Sequence, residues 1–129
     1  MKLFGSFLNS KGETERSSLS WESLEDVSGV EEITSVSFEI PVIIYKHSTR
    51  CGISSMVLNR LEREYDLEAG RVKLYFLDLI RYREVSNRVS RVFKIPHESP
   101  QLLLIKNGAV CYHASHGMIS MTGIRACID

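Results

Sequence analysis

The sequence predicts an α/β protein built on a central mixed sheet, flanked by helices on both faces and finished by a C-terminal β-hairpin and helix. Three observations predict it. Short β-branched and aromatic runs alternate with stretches of helical apolar spacing, in the order β-α-β-α-β-α-β-β-α. In the first half the strand-like runs are separated by helix-length segments, which requires parallel pairing and right-handed crossovers. Asn107-Gly108 lies between two strand-like runs, the signature of a tight hairpin and so of an antiparallel edge.

Each element has a local reason. Residues 1–17 read as a loosely held arm, with Leu3, Phe4, Phe7 and Leu8 ahead of a polar stretch, and residues 18–129 as the folded domain. Trp21 and Leu24 suggest a short edge strand. Ser28 with Glu31 three residues on is a capping-box pattern, and Val30, Ile33 and Val36 give the following helix its inner face. Pro41 closes that segment, because the residue before a proline avoids helical angles. Val42 to Tyr45 is too short and too β-branched for a helix and reads as the central strand.

The next helix runs from Cys51 to Asp66, with Ser48 or Thr49 as its cap and Ala69-Gly70 as its stop. Met56, Val57, Leu58, Leu61 and Tyr65 supply its apolar face. Val72 to Leu77 forms a second apolar strand ending at Asp78. Tyr82 to Phe93 is a helix with Val85, Val89 and Val92 inward and a solvated charged face. A loop with two prolines, Ile95 to Pro100, leads to a strand over Gln101 to Lys106. The returning strand is Ala109 to Ala114, Ser115-His116-Gly117 breaks it, and Met118 to Ile128 is the last amphipathic helix.

Composition narrows the function. The chain has 129 residues, 43% apolar and 25% charged, with no net charge, so neither nucleic acid nor a membrane surface is the expected partner. No apolar run approaches the roughly 20 residues of a membrane helix. Three cysteines make an odd number without a disulfide-framework spacing, which fits a reducing cytoplasm. Cys111, within an alternating strand, and Cys127, near the end of the last helix, read as core cysteines.

Cys51 differs from both. It stands where a strand passes into a helix, and the unpaired N–H groups and dipole of a helix start favour negative charge. That is the setting in which a cysteine reacts as its thiolate. Lys46, His47 and Arg50 add positive charge in the same stretch. In such folds ligands bind beyond the carboxyl ends of the parallel strands, where Cys51 lies. His97 and His116 fall in loops near the expected cleft, while His47 reads as a polar cap on the strand. There is no Cys-x-x-Cys pair and no zinc pattern.

A cysteine at the first turn after the central strand, followed by a loop proline just before a later strand and hairpin, resembles the thioredoxin superfamily. Pro100 matches the proline that is cis in that superfamily and lies against the active cysteine. Three segments further resemble the monothiol bacilliredoxins, the YtxJ-like family: Lys46 to Ser54, His97-Glu98-Ser99-Pro100-Gln101, and Ser115-His116. The resemblance spans roughly residues 20–127. It implies a bacterial, cytoplasmic thiol–disulfide oxidoreductase that removes bacillithiol from oxidised protein cysteines, with bacillithiol as co-substrate and no resident cofactor. Cys51 is then the nucleophile. Ser54, three residues on, replaces a resolving cysteine and offers a hydrogen bond to the sulfur. Arg50 either holds a carboxylate of bacillithiol or stays solvated, and the backbone of Ser99 offers its polar groups to an extended ligand. Gly52 departs from the proline common in the family.

Two rivals stand beside this reading. Cys51-Gly52-Ile53-Ser54 is one residue from the Cys-Gly-Phe-Ser motif of monothiol glutaredoxins that carry iron–sulfur clusters, although the Gly-Gly pair expected after the hairpin is absent. The other is a thioredoxin-like binding module that keeps the cleft without the chemistry.

Overall fold

A computed structural model describes residues 19–129, so the expected N-terminal arm lies outside the described residues. The elements are β1 (Trp21–Ser23), α1 (Ser28–Val36), β2 (Val42–His47), α2 (Gly52–Glu64), β3 (Lys73–Asp78), α3 (Arg83–Phe93), β4 (Gln101–Lys106), β5 (Ala109–Ser115), a 3-10 turn (His116–Met118) and α4 (Met121–Ile128). They form one sheet in the order β1-β3-β2-β4-β5. β1, β3 and β2 run parallel, whereas β4 is antiparallel to both β2 and β5. The mixed sheet, the helices on both faces and the closing hairpin are those the sequence predicts.

The period-2 alternation of β2 sorts the core into two layers. Ile43 and Tyr45 face Val57, Leu58 and Leu61 of α2 and Ile124 and Ile128 of α4. Val42 and Ile44 face Val30 and Ile33 of α1 and Val85, Val89 and Phe93 of α3. All six residues of β2 are buried, as a parallel strand covered on both faces must be. The hairpin turns through Asn107 (φ 54°) and Gly108 (φ 82°), both left-handed, which is why Asn-Gly suits it. A side chain at Gly108 would also run into the ring of Phe38. Ser37 holds the same turn from beneath, its carbonyl accepting from Asn107 N–H and its Oγ from Gly108 N–H, each at 2.8 Å.

Several local expectations are corrected. The capping box at Ser28 does not form. Asp26 Oδ1 accepts from the N–H of Gly29 and from Ser28 Oγ instead, because the carboxylate already faces the first turn. Helix α2 begins at Gly52 with Cys51 itself as N-cap, so neither Ser48 nor Thr49 caps it. Ser48 Oγ accepts from Arg50 N–H (3.3 Å). The helix stops at Glu64, where Tyr65 turns extended, and Gly70 (φ 84°) serves a later turn. Met56 is exposed, since the buried stripe of α2 is Ser54, Val57, Leu58 and Leu61. The last helix starts at Met121, capped by Ser120 Oγ accepting from Gly123 N–H.

Candidate functional site

Cys51 sits past the carboxyl end of β2, where the β2–α2 loop meets the start of β4. Its backbone is extended (φ −118°, ψ 113°), as an N-cap requires, and the side chain therefore lies at the open end of α2. Cys51 N–H donates to Ser48 carbonyl (3.2 Å), and Cys51 carbonyl accepts from Ser54 N–H (3.1 Å). The residue is part-exposed and is the free cysteine among the described residues. The sulfur is thus not sealed in the core.

The buried floor of the loop is Ser54. Its Oγ accepts from Ser48 N–H (3.2 Å) and stands 2.7 Å from His47 Nδ1. Tyr45 hydroxyl donates to Ser54 carbonyl (2.9 Å), and desolvation pushes the Tyr45 hydroxyl up to about 12. Three residues of β2 and its loop, Tyr45, His47 and Ser48, therefore lock the first turn of α2. Sequence reading gave Ser54 to the sulfur. The structure gives its hydroxyl to His47 and Ser48, and the signal was present in the alternation that points Tyr45 and His47 toward α2.

Lys46 belongs to the other face of the sheet. Its charge is fully buried under α3, not aimed along the Cys51 loop. Lys46 Nζ reaches Ser90 Oγ (3.1 Å), His97 Nδ1 (3.3 Å) and Ser86 carbonyl (3.4 Å). Desolvation pushes its ammonium down to about 8. His97 lies below its ordinary value, first from desolvation and then from the positive charges of Lys46 and Arg83. His97 thus ties the loop before β4 to the buried lysine.

The Ser99–Pro100 bond is cis, as the resemblance implied. Gln101 pairs with Lys46, so Pro100 arrives beside the end of β2 that leads to Cys51. Pro100 carbonyl accepts from His116 N–H (3.0 Å), and His116 holds a left-handed backbone (φ 56°) there. Ser99 Oγ is buried and has no hydrogen-bond partner among the described residues. An open groove of about 530 Å³ runs beside this junction, with Pro96, Glu98, Tyr112, Ser115, His116 and Met118 among its walls. A second cleft of about 400 Å³ lies at the opposite end of the sheet, around Tyr65 and Val72, away from Cys51. Arg50, Gly52 and Ile53 are exposed around Cys51, and Met56 and Met118 are the most exposed large apolar side chains described. Among the described residues no group of three His, Cys, Asp or Glu side chains stands close enough to hold a metal ion.

The other two cysteines overturn the core reading. Cys111 is exposed, Cys127 is half-buried, and the two form a disulfide with Cα atoms 6.1 Å apart. Strand alternation misled because β5 carries a bulge. Tyr112 pairs with Leu104 and Val110 with Ile105, leaving Cys111 as the extra residue.

Solved proteins share the architecture. A candidate oxidoreductase with a thioredoxin fold superposes with a TM-score of 0.66 at 22% identity, covering 83% of this chain and 92% of that one. Thioredoxin of Trypanosoma brucei brucei gives 0.66 at 18%, covering 84% and 91%. Thioredoxin of Malassezia sympodialis gives 0.64 at 20%, covering 84% and 88%. At those identities the likeness establishes the thioredoxin fold. No described helix is long and apolar enough to cross a membrane. The family model described as monothiol bacilliredoxin BrxC matches residues 22–124, which includes Cys51, the cis-proline loop and the hairpin, and so the chain belongs to the monothiol bacilliredoxin family, with a thiol redox role.

Proposed function

We propose that this protein removes bacillithiol from protein mixed disulfides, with Cys51 as the nucleophile. One observation carries the reading. Cys51 is an unpaired, part-exposed cysteine at the N-cap of α2, with Ser54 rather than a second thiol on the same turn. The thiolate of Cys51 attacks the bacillithiol sulfur of a client mixed disulfide. The Cys51–bacillithiol bond forms, the client–bacillithiol bond breaks, and the client leaves as its thiolate. A second bacillithiol then attacks the bacillithiol sulfur held on Cys51, restoring the Cys51 thiolate and releasing bacillithiol disulfide. No internal disulfide competes, because Ser54 cannot close one and Cys111 and Cys127 pair with each other at the other end of the sheet.

The surroundings fit the roles. Ser54, Tyr45 and His47 hold the loop rigid, so the sulfur is presented by fixed backbone. Exposed Ile53, Met56 and Met118 offer apolar contact to a client protein. Arg50, exposed one residue before Cys51, offers a partner for a bacillithiol carboxylate. The backbone of Ser99, the His97 loop and His116 frame the site on the β4 side, and a side chain at Gly52 would meet no residue beyond its chain neighbours. Such chemistry needs no resident cofactor and belongs in a reducing cytoplasm.

The test is turnover of a bacillithiolated client by wild type and Cys51→Ser, followed by mass spectrometry. The proposal expects the variant to be inactive and bacillithiol to be found on Cys51 of wild type. Full turnover by Cys51→Ser would rule the mechanism out. The iron–sulfur reading is separated by anaerobic reconstitution, in which visible absorbance lost with Cys51→Ser would favour it.

A further inference from the structure

The Cys51 chemistry leaves Cys111 and Cys127 unused. They cannot serve as its resolving thiols. Near the end of β2 Lys46 pairs with Gln101, and Gln101 pairs with Ser115 at that same end of β5. Cys111 lies against Leu104 and Ile105, which pair with Ile43 and Val42 at the start of β2. Four to five residues of strand, about 13–17 Å at the usual rise, therefore separate the two cysteine positions along the sheet.

The bulge explains how the pair meets. Tyr112 and Ala114 pack on the core layer that contains α4, while Val110 packs on the other. Regular alternation from Tyr112 and Ala114 would turn Cys111 to the opposite face, away from α4. The extra residue re-aims it to the side of Tyr112, where Cys127 of α4 waits. The Cα separation of 6.1 Å lies in the range disulfides ordinarily span.

Accessibility sets what the bond can do. β5 is one of the two edge strands of the sheet, and Cys111 on it is exposed, whereas Cys127 packs against the core. A solvent thiol can thus reach one sulfur of the pair directly. Lys106 Nζ donates to the carbonyls of Cys127 (3.2 Å) and Ile128 (3.5 Å), which puts a positive charge beside the segment that would carry the leaving thiolate. Exposed disulfides are the exchangeable ones.

We propose that Cys111 and Cys127 are a second thiol–disulfide centre, opened and closed by low-molecular-weight thiols independently of Cys51, that fastens α4 to the edge strand. Opening begins when a thiolate attacks Cys111 Sγ. A mixed disulfide forms at Cys111 and the Cys127 thiolate leaves and takes a proton. A second thiolate attacks the small-thiol sulfur, releasing Cys111 as its thiol and the small-molecule disulfide. Two electrons and two protons enter the protein, and two thiols become one disulfide. Closing reverses each step with a small-molecule disulfide as oxidant. Once open, α4 is an eight-residue helix whose described partners are its core side chains, Ser120, Tyr112, Lys106 and surface ion pairs.

The test titrates the full chain, as wild type, Cys51→Ser and Cys51→Ala, with buffers of graded glutathione to glutathione-disulfide ratio. Acid quench, N-ethylmaleimide labelling and peptide mass spectrometry then report each cysteine. Cys111 and Cys127 should gain the label together, in one two-electron transition, at the same ratio within twofold in all three proteins. Amide exchange over Ile124–Asp129 should quicken across that transition. A pair that stays oxidised in every buffer until the protein is denatured would make it an inert staple and overturn the proposal. Labelling of both cysteines in the air-oxidised native protein, or a transition lost in both Cys51 variants, would overturn it as well.

Discussion

The two ends of the sheet treat cysteine in opposite ways. At the carboxyl end of β2, Cys51 begins a helix, its backbone fixed by Ser48 and Ser54 and its sulfur in no disulfide. At the other end Cys127 finishes a helix, where carbonyls rather than N–H groups are exposed and Lys106 has to cap them. A helix start favours an anion and a helix end disfavours one. The first position leaves its sulfur open to an attacking or attacked partner, whereas the second holds Cys127 in a bond beside the Lys106 ammonium. Residue type alone does not distinguish the three cysteines; their place relative to a helix axis does.

Substitutions at the two ends should separate sharply. Cys51→Ser should lower de-bacillithiolation by at least about 100-fold, since no other nucleophile stands in its place. Cys111→Ser combined with Cys127→Ser should keep most of that activity, measured on the same client. Equal losses in the two proteins would erase the contrast.

Stability should respond the other way round. The disulfide closes a loop of 16 residues, and losing it should cost about 3 kcal/mol in urea unfolding of the double serine variant relative to oxidised wild type. Cys51→Ser, at a part-exposed N-cap, should change stability by less than about 1 kcal/mol.

The opposite face of β2 offers a smaller, pH-dependent effect through the buried Lys46. Its ammonium is pushed down to about 8 against an ordinary 10.5, so between those values the unfolded chain holds a proton that the folded chain has released. Stability therefore rises with pH from about 8 to 10, by about 2 kcal/mol, whereas below 8 both states are protonated and the burial penalty is constant. The slope is read as wild type minus Lys46→Met, which removes the contributions of other groups. An identical pH profile for the two proteins would show that Lys46 is not desolvated as the structure has it. Ser54→Ala is expected to cost about 1–2 kcal/mol because Ser48 N–H and His47 lose a buried partner.

Much of this was legible in the chain. Strands with period-2 or continuous apolar character, the Asn107-Gly108 turn and the helix spacing gave the element order, because each depends on neighbours within a few residues. Cys51, Pro100 and the segment around His97 stood out for the same reason. The details that failed were those that depend on a residue counted across strands. One extra residue in β5 moved Cys111 from the face read for it, and Met56 lay one step off the buried stripe of α2.

The sequence by itself determined an α/β chain with a lone cysteine at a helix start, since hydrophobic period and turn chemistry are local properties. Only the tertiary structure decided that Lys46 is buried against His97, that Ser54 serves His47 and Ser48, and that Cys111 meets Cys127. Those are contacts between residues 6 to 51 positions apart. Sheet register and helix docking set them, and neither is written in any short stretch of the chain.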